Sequence, residues 1–417
     1  MPALRSKTLV QASFWLAAIL VSCAGVVFDK AVHFIQEFYL TFFQLYPVET
    51  SLLSPLCFIG ATWIVIRFAP KAGGSGIPQA MKATRLSLGH HHTAMQSGLI
   101  SVKTAVVKVA STLLGLLGGA SIGREGPTVQ ISTALFAWIG AKTKKIFPYV
   151  NFHSYLVAGS AAGVSAAFNT PLAGISFALE EMAEGSFSQT KHSVMVSVIL
   201  AGITTQTLVG NYVYFGTPRI ESTELLIIIP AISIGLLGGL LGGLFAHSLA
   251  HPIWGNHRWQ WWHRALLCGV LVALINWISI GKSAGTGYEI TKAFMDSPQG
   301  ELSWDFPLTK IVTSILSFLS GMAGGIFSPS LAIGAGIGAS FSDLLGFADP
   351  KACALLGMVA FFSGVVQAPL TAVIIVMEMT DLHPLIIPLM IAAFVGQGVS
   401  KLIMPTSLYH YLSRHRY

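Results

Sequence analysis

A single carboxylate stands out in an apolar part of the chain, within Gly123-Arg124-Glu125-Gly126-Pro127. Apolar, glycine-rich residues precede this stretch from Val102, and another apolar segment follows it from Thr128. Pro127 suits the first turn of a helix, where its missing N–H is not needed. Free N–H groups and the helix dipole favour an anion at such a position. Because Glu125 is itself an anion fixed there, the stretch predicts a gate.

Two further glycine-rich stretches and one late tyrosine carry groups that can bind an anion. Gly74-Ser75-Gly76-Ile77-Pro78 breaks any helix and leaves N–H groups and one hydroxyl free, although an ordinary glycine-rich loop explains this segment equally well. Gly325-Ile326-Phe327-Ser328-Pro329 again places glycine before proline. Tyr409 follows Pro405 near the end of the chain. None of these stretches has the spacing of a phosphate-binding P-loop.

Three other charged residues lie in or beside apolar segments. Lys108 is well inside one, so it is a functional candidate unless its stem is buried and its amine reaches the membrane interface. Glu180 and Glu181 follow the apolar segment Leu172–Leu179, where acids are commonly interfacial. The sequence alone does not decide whether Lys108 is functional or reaches the interface. It also does not decide whether the two acids are merely interfacial or take part in function.

The composition determines which elements must position these residues. Of 417 residues, 53% are hydrophobic and 10% charged, with a mean hydropathy of +0.69, whereas soluble domains have about 25% charged residues. Apolar runs near spanning length recur, beginning with Leu9–Phe28, and many are interrupted by glycine or proline. Broken helices persist in lipid only where they are buried in protein or line a polar cavity. We therefore predict an all-α polytopic membrane protein.

The charge distribution argues against nucleic-acid binding and for a membrane topology. The net charge of +7 comes from basic residues scattered along the loops, as the positive-inside bias of membrane proteins predicts. Both ends are basic, with Arg5 and Lys7 at one and Arg414 and Arg416 at the other. Two cytoplasmic termini and an even number of crossings follow. The spacing of the four cysteines and the histidines predicts no metal site, and no cofactor motif is present.

Two pairs of segments recur about 200 residues apart. Gly123–Pro127 parallels Gly325–Pro329, 202 positions later, and Asn169–Glu180 parallels Gln367–Glu378, 198 positions later. Duplicated halves with interrupted helices at matching positions are typical of transporters whose site lies at the repeat interface. We place the first half at residues 1–215 and the second at 216–417, together forming one transport domain.

The three glycine-rich stretches and Tyr409, in this order, resemble the CLC family of chloride channels and chloride/proton antiporters. The resemblance extends from about Phe28 to Tyr411 and implies two inverted-topology repeats of broken and tilted helices. It also implies a homodimer with one anion pore per subunit. Since the chain stops soon after Tyr409, the resemblance is to bacterial members without a cytosolic regulatory domain, and it implies a bacterial inner membrane location.

The family's functional residues can be carried over to matching positions. The resemblance implies that the hydroxyls of Ser75 and Tyr409 and the N–H groups of Ile326 and Phe327 hold a central chloride ion, with Gly126 lining the site. It makes Glu125 the external gate and proton carrier. Glu181 aligns with the internal proton-transfer glutamate. The residue at position 79 is Gln, where some relatives have an acid.

The implied function is chloride/proton antiport, and three kinds of alternative remain. A passive voltage- or pH-gated chloride channel needs only the gate, and channels of the family usually have an apolar residue in place of Glu181. A fluoride-selective or nitrate-selective antiporter usually differs at the Ser75 position. An intramembrane serine hydrolase could use Ser121, because Gly119-Ala120-Ser121-Ile122-Gly123 matches the nucleophile-elbow pattern.

Overall fold

The computed structural model describes residues 2–89, 91–182, 187–210, 213–218, 220, 227–251, 260–296, 304–345 and 349–417. Eighteen α-helices lie within these ranges. They are α1 Pro2–Leu45, α2 Pro47–Phe68, α3 Ile77–Gly89, α4 His91–Gln96, α5 Val102–Leu117, α6 Glu125–Ile146, α7 Phe152–Phe168, α8 Pro171–Phe177, α9 Phe187–Val209, α10 Ile228–Ala250, α11 Trp261–Ile278, α12 Tyr288–Asp296, α13 Asp305–Leu319, α14 Phe327–Leu345, α15 Pro350–Val366, α16 Pro369–Thr380, α17 Ile386–Ile403 and α18 Leu408–His415. A π-helical turn, Ala178–Met182, continues α8.

The helices divide into long outer ones and shorter inner ones. Six of the described helices are long and apolar enough to cross a membrane: α1, α2, α9, α10, α11 and α17. These six expose large apolar side chains on their outer faces. In contrast, α7 and α15 have 17 residues each and are buried almost throughout. These two helices are therefore surrounded by protein, as interrupted helices in a bilayer must be.

The first helix is longer than its apolar run predicts. We expected a segment over Leu9–Phe28, but α1 continues to Leu45. The polar residue that follows the run, Asp29, is accommodated because it forms an ion pair with Arg124. A paired charge can be kept inside an apolar environment that would exclude it alone.

The predicted repeat appears in the positions where helices end. Gly119 and Gly321, 202 positions apart, follow α5 and α13 with φ of +73° and +93°. Asn169 and Gln367, 198 positions apart, end α7 and α15 in the left-handed region with φ of +58° and +59°. Such residues end a helix and turn the chain sharply. The same backbone turns therefore occur in both halves.

Reciprocal contacts between the halves indicate a two-fold relation between them. The N–H groups of Gly123 and Gly325 each donate to the other residue's carbonyl oxygen, at 2.6 and 2.7 Å. Glu180 accepts from two N–H groups at the start of α16, and Glu378 accepts from two at the start of α8. A two-fold axis makes contacts reciprocal in this way. The predicted all-α fold of two inverted repeats with broken helices is confirmed, while the boundary at 215/216 stays a prediction.

Candidate functional site

The three glycine-rich stretches meet at the centre of the molecule. Gly74 donates to the carbonyl of Met322 at 2.8 Å and accepts from Gly324 at 3.1 Å. Gly325 exchanges two hydrogen bonds with Gly123, as described above. Short bridges between otherwise irregular segments satisfy backbone groups that no helix satisfies. The bridges fix the three stretches relative to one another.

Lys108 stabilises this junction from within the protein. Its side chain is completely buried, and its amine donates to the carbonyl of Gly74 at 2.8 Å. One turn later, the hydroxyl of Ser111 accepts from the N–H of Ala323 at 3.1 Å. The alternative in which Lys108 reaches the interface is therefore wrong. Its amine positions the segment that carries Ser75.

Gln79 holds the same segment from the other side. Its side-chain oxygen accepts from the N–H of Gly76 at 3.0 Å, and its side-chain nitrogen donates to the carbonyl of Gly73 at 2.6 Å. The sequence comparison at position 79 noted a glutamine in place of an acid and assigned it no role. Both ends of its amide are used to shape the turn around Ser75.

Ser75 and Tyr409 place two hydroxyls together at the start of α6. Both hydroxyl oxygens are buried and have no hydrogen-bond partner among the described residues, and they lie close enough to interact. A Cβ on Gly126 would lie 2.5 Å from the Ser75 hydroxyl oxygen. The glycine therefore permits the close approach of α6 to Ser75. Two unsatisfied hydroxyls beside a helix N-terminus form a site that an anion can satisfy.

The starts of α6 and α14 converge on this place. A Cβ on Gly325 would lie 3.1 Å from the N–H nitrogen of Gly126. Ile326 and Phe327 are buried, and the Phe327 ring packs against Phe168 and Phe362 with centroids 4.9 and 4.1 Å away. The first N–H groups of a helix have no partner within it. Two helix ends thus supply backbone donors to a single region.

Glu125 occupies the N-terminus of α14. Its carboxylate is 1% exposed and accepts from the Ser328 hydroxyl at 2.5 Å and from the Ser328 N–H at 3.3 Å. The sequence predicted Glu125 but not its partner. The only signal for Ser328 was the repeat, which aligns it with Gly126. The contact identifies a place that binds a carboxylate with a hydroxyl and a backbone N–H.

A cavity approaches Glu125 from one side. Its volume is about 200 Å³, and its lining includes Asp29, His33, Arg124 and Thr286. The Arg124 side chain is 8% exposed, pairs with Asp29, and lies 3.9 Å from the Glu125 carboxylate. An arginine between solvent and a buried anion site attracts anions toward it. We regard this cavity as one mouth of the candidate pore.

The two adjacent acids after α8 have different environments. Both carboxylate oxygens of Glu180 accept hydrogen bonds from the N–H groups of Leu370 and Thr371, so Glu180 serves as a helix cap. Glu181 is 4% exposed, and its Oε2 has no hydrogen-bond partner among the described residues. The ring nitrogen Nδ1 of His410 lies 3.7 Å from that oxygen. Glu181 is therefore the acid with an oxygen that no hydrogen bond from the described residues satisfies.

The predicted residues form one connected region around the hydroxyl pair. Tyr409 lies close enough to both Glu125 and Glu181 for their charges to act on it. Ser121, in contrast, bonds to the hydroxyls of Ser314 and Ser317. No histidine contacts Ser121 in the part of the chain that the structure describes, so its surroundings are not those of a hydrolase nucleophile.

Named relatives cover nearly the whole chain. The H(+)/Cl(-) exchange transporter ClcA of Vibrio cholerae serotype O1 is 30% identical over 426 residues, which cover 95% of this chain and 87% of that protein. The transporter of the same name from Yersinia pseudotuberculosis serotype IB is also 30% identical, over 94% of this chain and 85% of its own.

Solved structures share the fold. A slow cyanobacterial Cl-/H+ antiporter matches with a TM-score of 0.80 at 24% identity, covering 97% of this chain and 96% of its own. A CLC-type fluoride/proton antiporter matches with a TM-score of 0.78 at 23% identity, covering 97% of each chain. A family model described as "Voltage gated chloride channel" matches residues 56–401. Since that match covers most of the sequence, the chain belongs to the CLC family of voltage-gated chloride channels and their antiporter relatives.

Proposed function

We propose that this protein exchanges chloride for protons across a membrane. The observation that carries the proposal is that two buried acids, Glu125 and Glu181, both lie near enough to Tyr409 of the Ser75–Tyr409 hydroxyl pair for their charges to act on it. A chloride channel needs a permeation path and a gate. An exchanger also needs a second group that delivers protons to the gate. The relatives named as H(+)/Cl(-) exchange transporters support the same activity.

The donors fit chloride as the transported substrate. The proposed ligands are the hydroxyls of Ser75 and Tyr409 and the N–H groups of Ile326 and Phe327, with Gly126 allowing close approach. These groups carry partial charges that can replace part of a weakly hydrated anion's water. A full positive charge at the centre would hold the ion too tightly for turnover. Lys108 has its amine occupied by Gly74 and stabilises the site without binding the ion.

The exchange follows from competition between chloride and the Glu125 carboxylate. When ionised, Glu125 occupies the N-terminus of α14 and excludes an anion from that place. When protonated, it loses its attraction for the N–H groups there and releases the place to chloride. Glu181, the second buried acid near Tyr409, supplies or accepts the proton. Each turnover then carries chloride in one direction and a proton in the other.

Membrane placement and assembly complete the proposal. We place the protein in a bacterial inner membrane with both termini in the cytoplasm, so the cavity beside Arg124 opens outward. We also propose a homodimer with one pore per subunit, in which a second copy covers exposed Leu172 and Leu370 on the adjacent helices α8 and α16. Cross-linking through a Leu172→Cys substitution tests this interface, and a purely monomeric protein in lipid contradicts it.

Purified protein in liposomes tests the exchange. With opposed chloride and pH gradients, an exchanger has a reversal potential that depends on both ions. A potential that follows chloride alone would establish a passive channel and reject the exchange. Glu125→Gln should abolish proton movement driven by a chloride gradient. Glu181→Gln should keep chloride flux and remove proton flux, and unchanged proton flux would reject its role.

A further inference from the structure

A histidine, His410, lies beside Glu181, the proposed internal acid of the exchanger. His410, in the first turn of α18, places its ring Nδ1 3.7 Å from Oε2 of Glu181. The side chain of His410 is 23% exposed, whereas that of Glu181 is 4% exposed. The imidazole therefore connects a carboxylate buried in protein with a region that water reaches. No family motif named above includes this position.

We propose that His410 is a proton-relay residue that loads and unloads Glu181. This inference rests on the proposed function, because it assigns a step to the internal acid of the exchanger. Histidine suits the step because its ring binds and releases a proton near neutral pH. Glu180 instead caps α16, where its two oxygens accept from N–H groups.

The local hydrogen bonds leave His410 able to receive and pass on a proton. The Ser407 hydroxyl caps α18 by accepting from the His410 N–H at 3.4 Å, and it lies 3.0 Å from Nδ1 of the same residue. It can therefore donate to Nδ1 while the imidazole is neutral. A proton on Nδ1 turns that nitrogen into a donor, for which the free Oε2 of Glu181 is a nearby acceptor.

The proton balance of the step is simple. A hydronium ion in the cytoplasmic water gives a proton to Nδ1 of the neutral ring of His410, which becomes an imidazolium and leaves a water molecule behind. The Nδ1–H bond then breaks, the proton binds Oε2 of Glu181, and the ring returns to its neutral form. At 3.7 Å the two atoms lie beyond a hydrogen bond, so a ring rotation that shortens the distance by about 1 Å precedes transfer. The reverse sequence unloads the acid.

Several other titratable side chains lie on α18 and on the helices packed against it. The helices packed against α18 are α3, α10 and α15. The titratable side chains of these helices and of α18 are Lys82 and Arg85 on α3, His247 on α10, Lys351 and Cys353 on α15, and Tyr409, Tyr411, Arg414 and His415 on α18, and His251 directly follows α10. The ring of His415 lies 2.9 Å from the Tyr411 carbonyl. His415 therefore serves as a matched control on the same helix.

The test measures chloride flux and chloride-driven proton uptake separately in liposomes. His410→Ala and His410→Gln should slow proton uptake about tenfold or more while chloride flux continues. Added imidazole should restore proton uptake in His410→Ala, because a small base can occupy the space left by the ring. His415→Ala should leave both fluxes unchanged.

The outcomes separate the relay from the exchange on which it rests. If the unmodified protein shows no chloride-driven proton uptake, the proposed function fails and the relay fails with it. If Glu181→Gln abolishes proton uptake but both His410 variants keep the normal rate, only the relay is rejected. A proportional fall of both fluxes that imidazole does not restore indicates a structural role for His410 and also overturns the relay.

Discussion

Removing the hydroxyl of Ser328 should strengthen chloride binding. In the structure this hydroxyl donates to the Glu125 carboxylate at 2.5 Å, and the N–H of the same residue donates at 3.3 Å. Ser328→Ala keeps the backbone donor and removes only the side-chain one. The substitution therefore weakens binding of the Glu125 carboxylate, which competes with chloride for the start of α14. It also removes a donor that chloride could use. The net change in chloride affinity therefore depends on whether the carboxylate or chloride loses more binding free energy.

The magnitude follows from the two hydrogen bonds. A hydrogen bond to a charged group contributes about 1.5–3 kcal/mol. The short contact to the compact carboxylate belongs near the upper end of that range, and one to chloride, whose charge is more diffuse, near the lower end. The difference is about 1–1.5 kcal/mol, which corresponds to roughly five- to tenfold in an equilibrium constant. Chloride should bind more tightly to Ser328→Ala by about this factor.

In a protein without Glu125, the expected effect of Ser328→Ala on chloride affinity has the opposite sign. In a Glu125→Ala protein no carboxylate competes for the place, so the Ser328 hydroxyl can help only chloride. Adding Ser328→Ala there should weaken chloride binding, by about tenfold if the lost bond contributes about 1.5 kcal/mol. A double-mutant cycle of this kind measures the coupling between the two side chains.

Isothermal titration of chloride into purified protein at alkaline pH provides the assay. Ser330→Ala is the matched control, because that hydroxyl donates at 2.6 Å to the carbonyl of Ile326, the residue before α14, and has no hydrogen bond to Glu125. Chloride affinity that falls in both backgrounds, or that changes in neither, would refute the competition between Glu125 and chloride at Ser328.

Two further substitutions test the scaffold of the site. Gly126→Ala should weaken chloride binding by about tenfold or more, because its Cβ would lie 2.5 Å from both the hydroxyl and the carbonyl oxygen of Ser75. Gly398→Ala is the control for titration calorimetry, since its Cβ meets nothing within 4 Å, and an equal effect of both would contradict this reasoning. Glu378→Gln should lower stability by about 1–2 kcal/mol through a weaker cap on α8, measured as thermal unfolding. Glu180→Gln should do the same at α16, and a large difference between the two would contradict the two-fold relation.

The elements of the site were predictable because their signals are local. Glycine and proline in Gly123–Pro127 interrupt one helix and start the next within five residues. The family resemblance then assigned roles to Ser75 and Tyr409 by position. Glu125 could be singled out without any structure, because a carboxylate at an anion-attracting helix start is unusual in an apolar segment. The structure describes these residues as parts of one connected region.

The partners were not predictable because they come from distant parts of the chain. Ser328 lies 203 residues from Glu125, and Gly74 lies 34 residues from Lys108. For Lys108 the sequence offered a functional charge or a side chain reaching the interface. The structure has a third arrangement, in which the buried amine binds a backbone carbonyl. His410 carried no signal either, since its importance depends on the fold of α18 beside the π-helical turn.

The two-fold relation separates the residues that build the site from those that operate it. Residues that build it recur in both halves. Glu180 and Glu378 cap each other's neighbouring helices, and Lys108 has a counterpart 202 positions later in Lys310, whose buried amine also donates to backbone carbonyls. These pairs of side chains bind backbone groups around the site in both halves.

The proposed operating residues break the same symmetry. Glu125 aligns with Phe327 at the 202-residue spacing, and Glu181 aligns with Met379 at the 198-residue spacing. Both titratable groups therefore belong to the first half alone, while the second half supplies the Ser328 hydroxyl where the first has Gly126. A symmetric pair of acids would place two like charges at one anion site, and their repulsion would oppose chloride as well as each other. With a single acid at the start of α14, protonation of that one group can decide whether its carboxylate or chloride binds there.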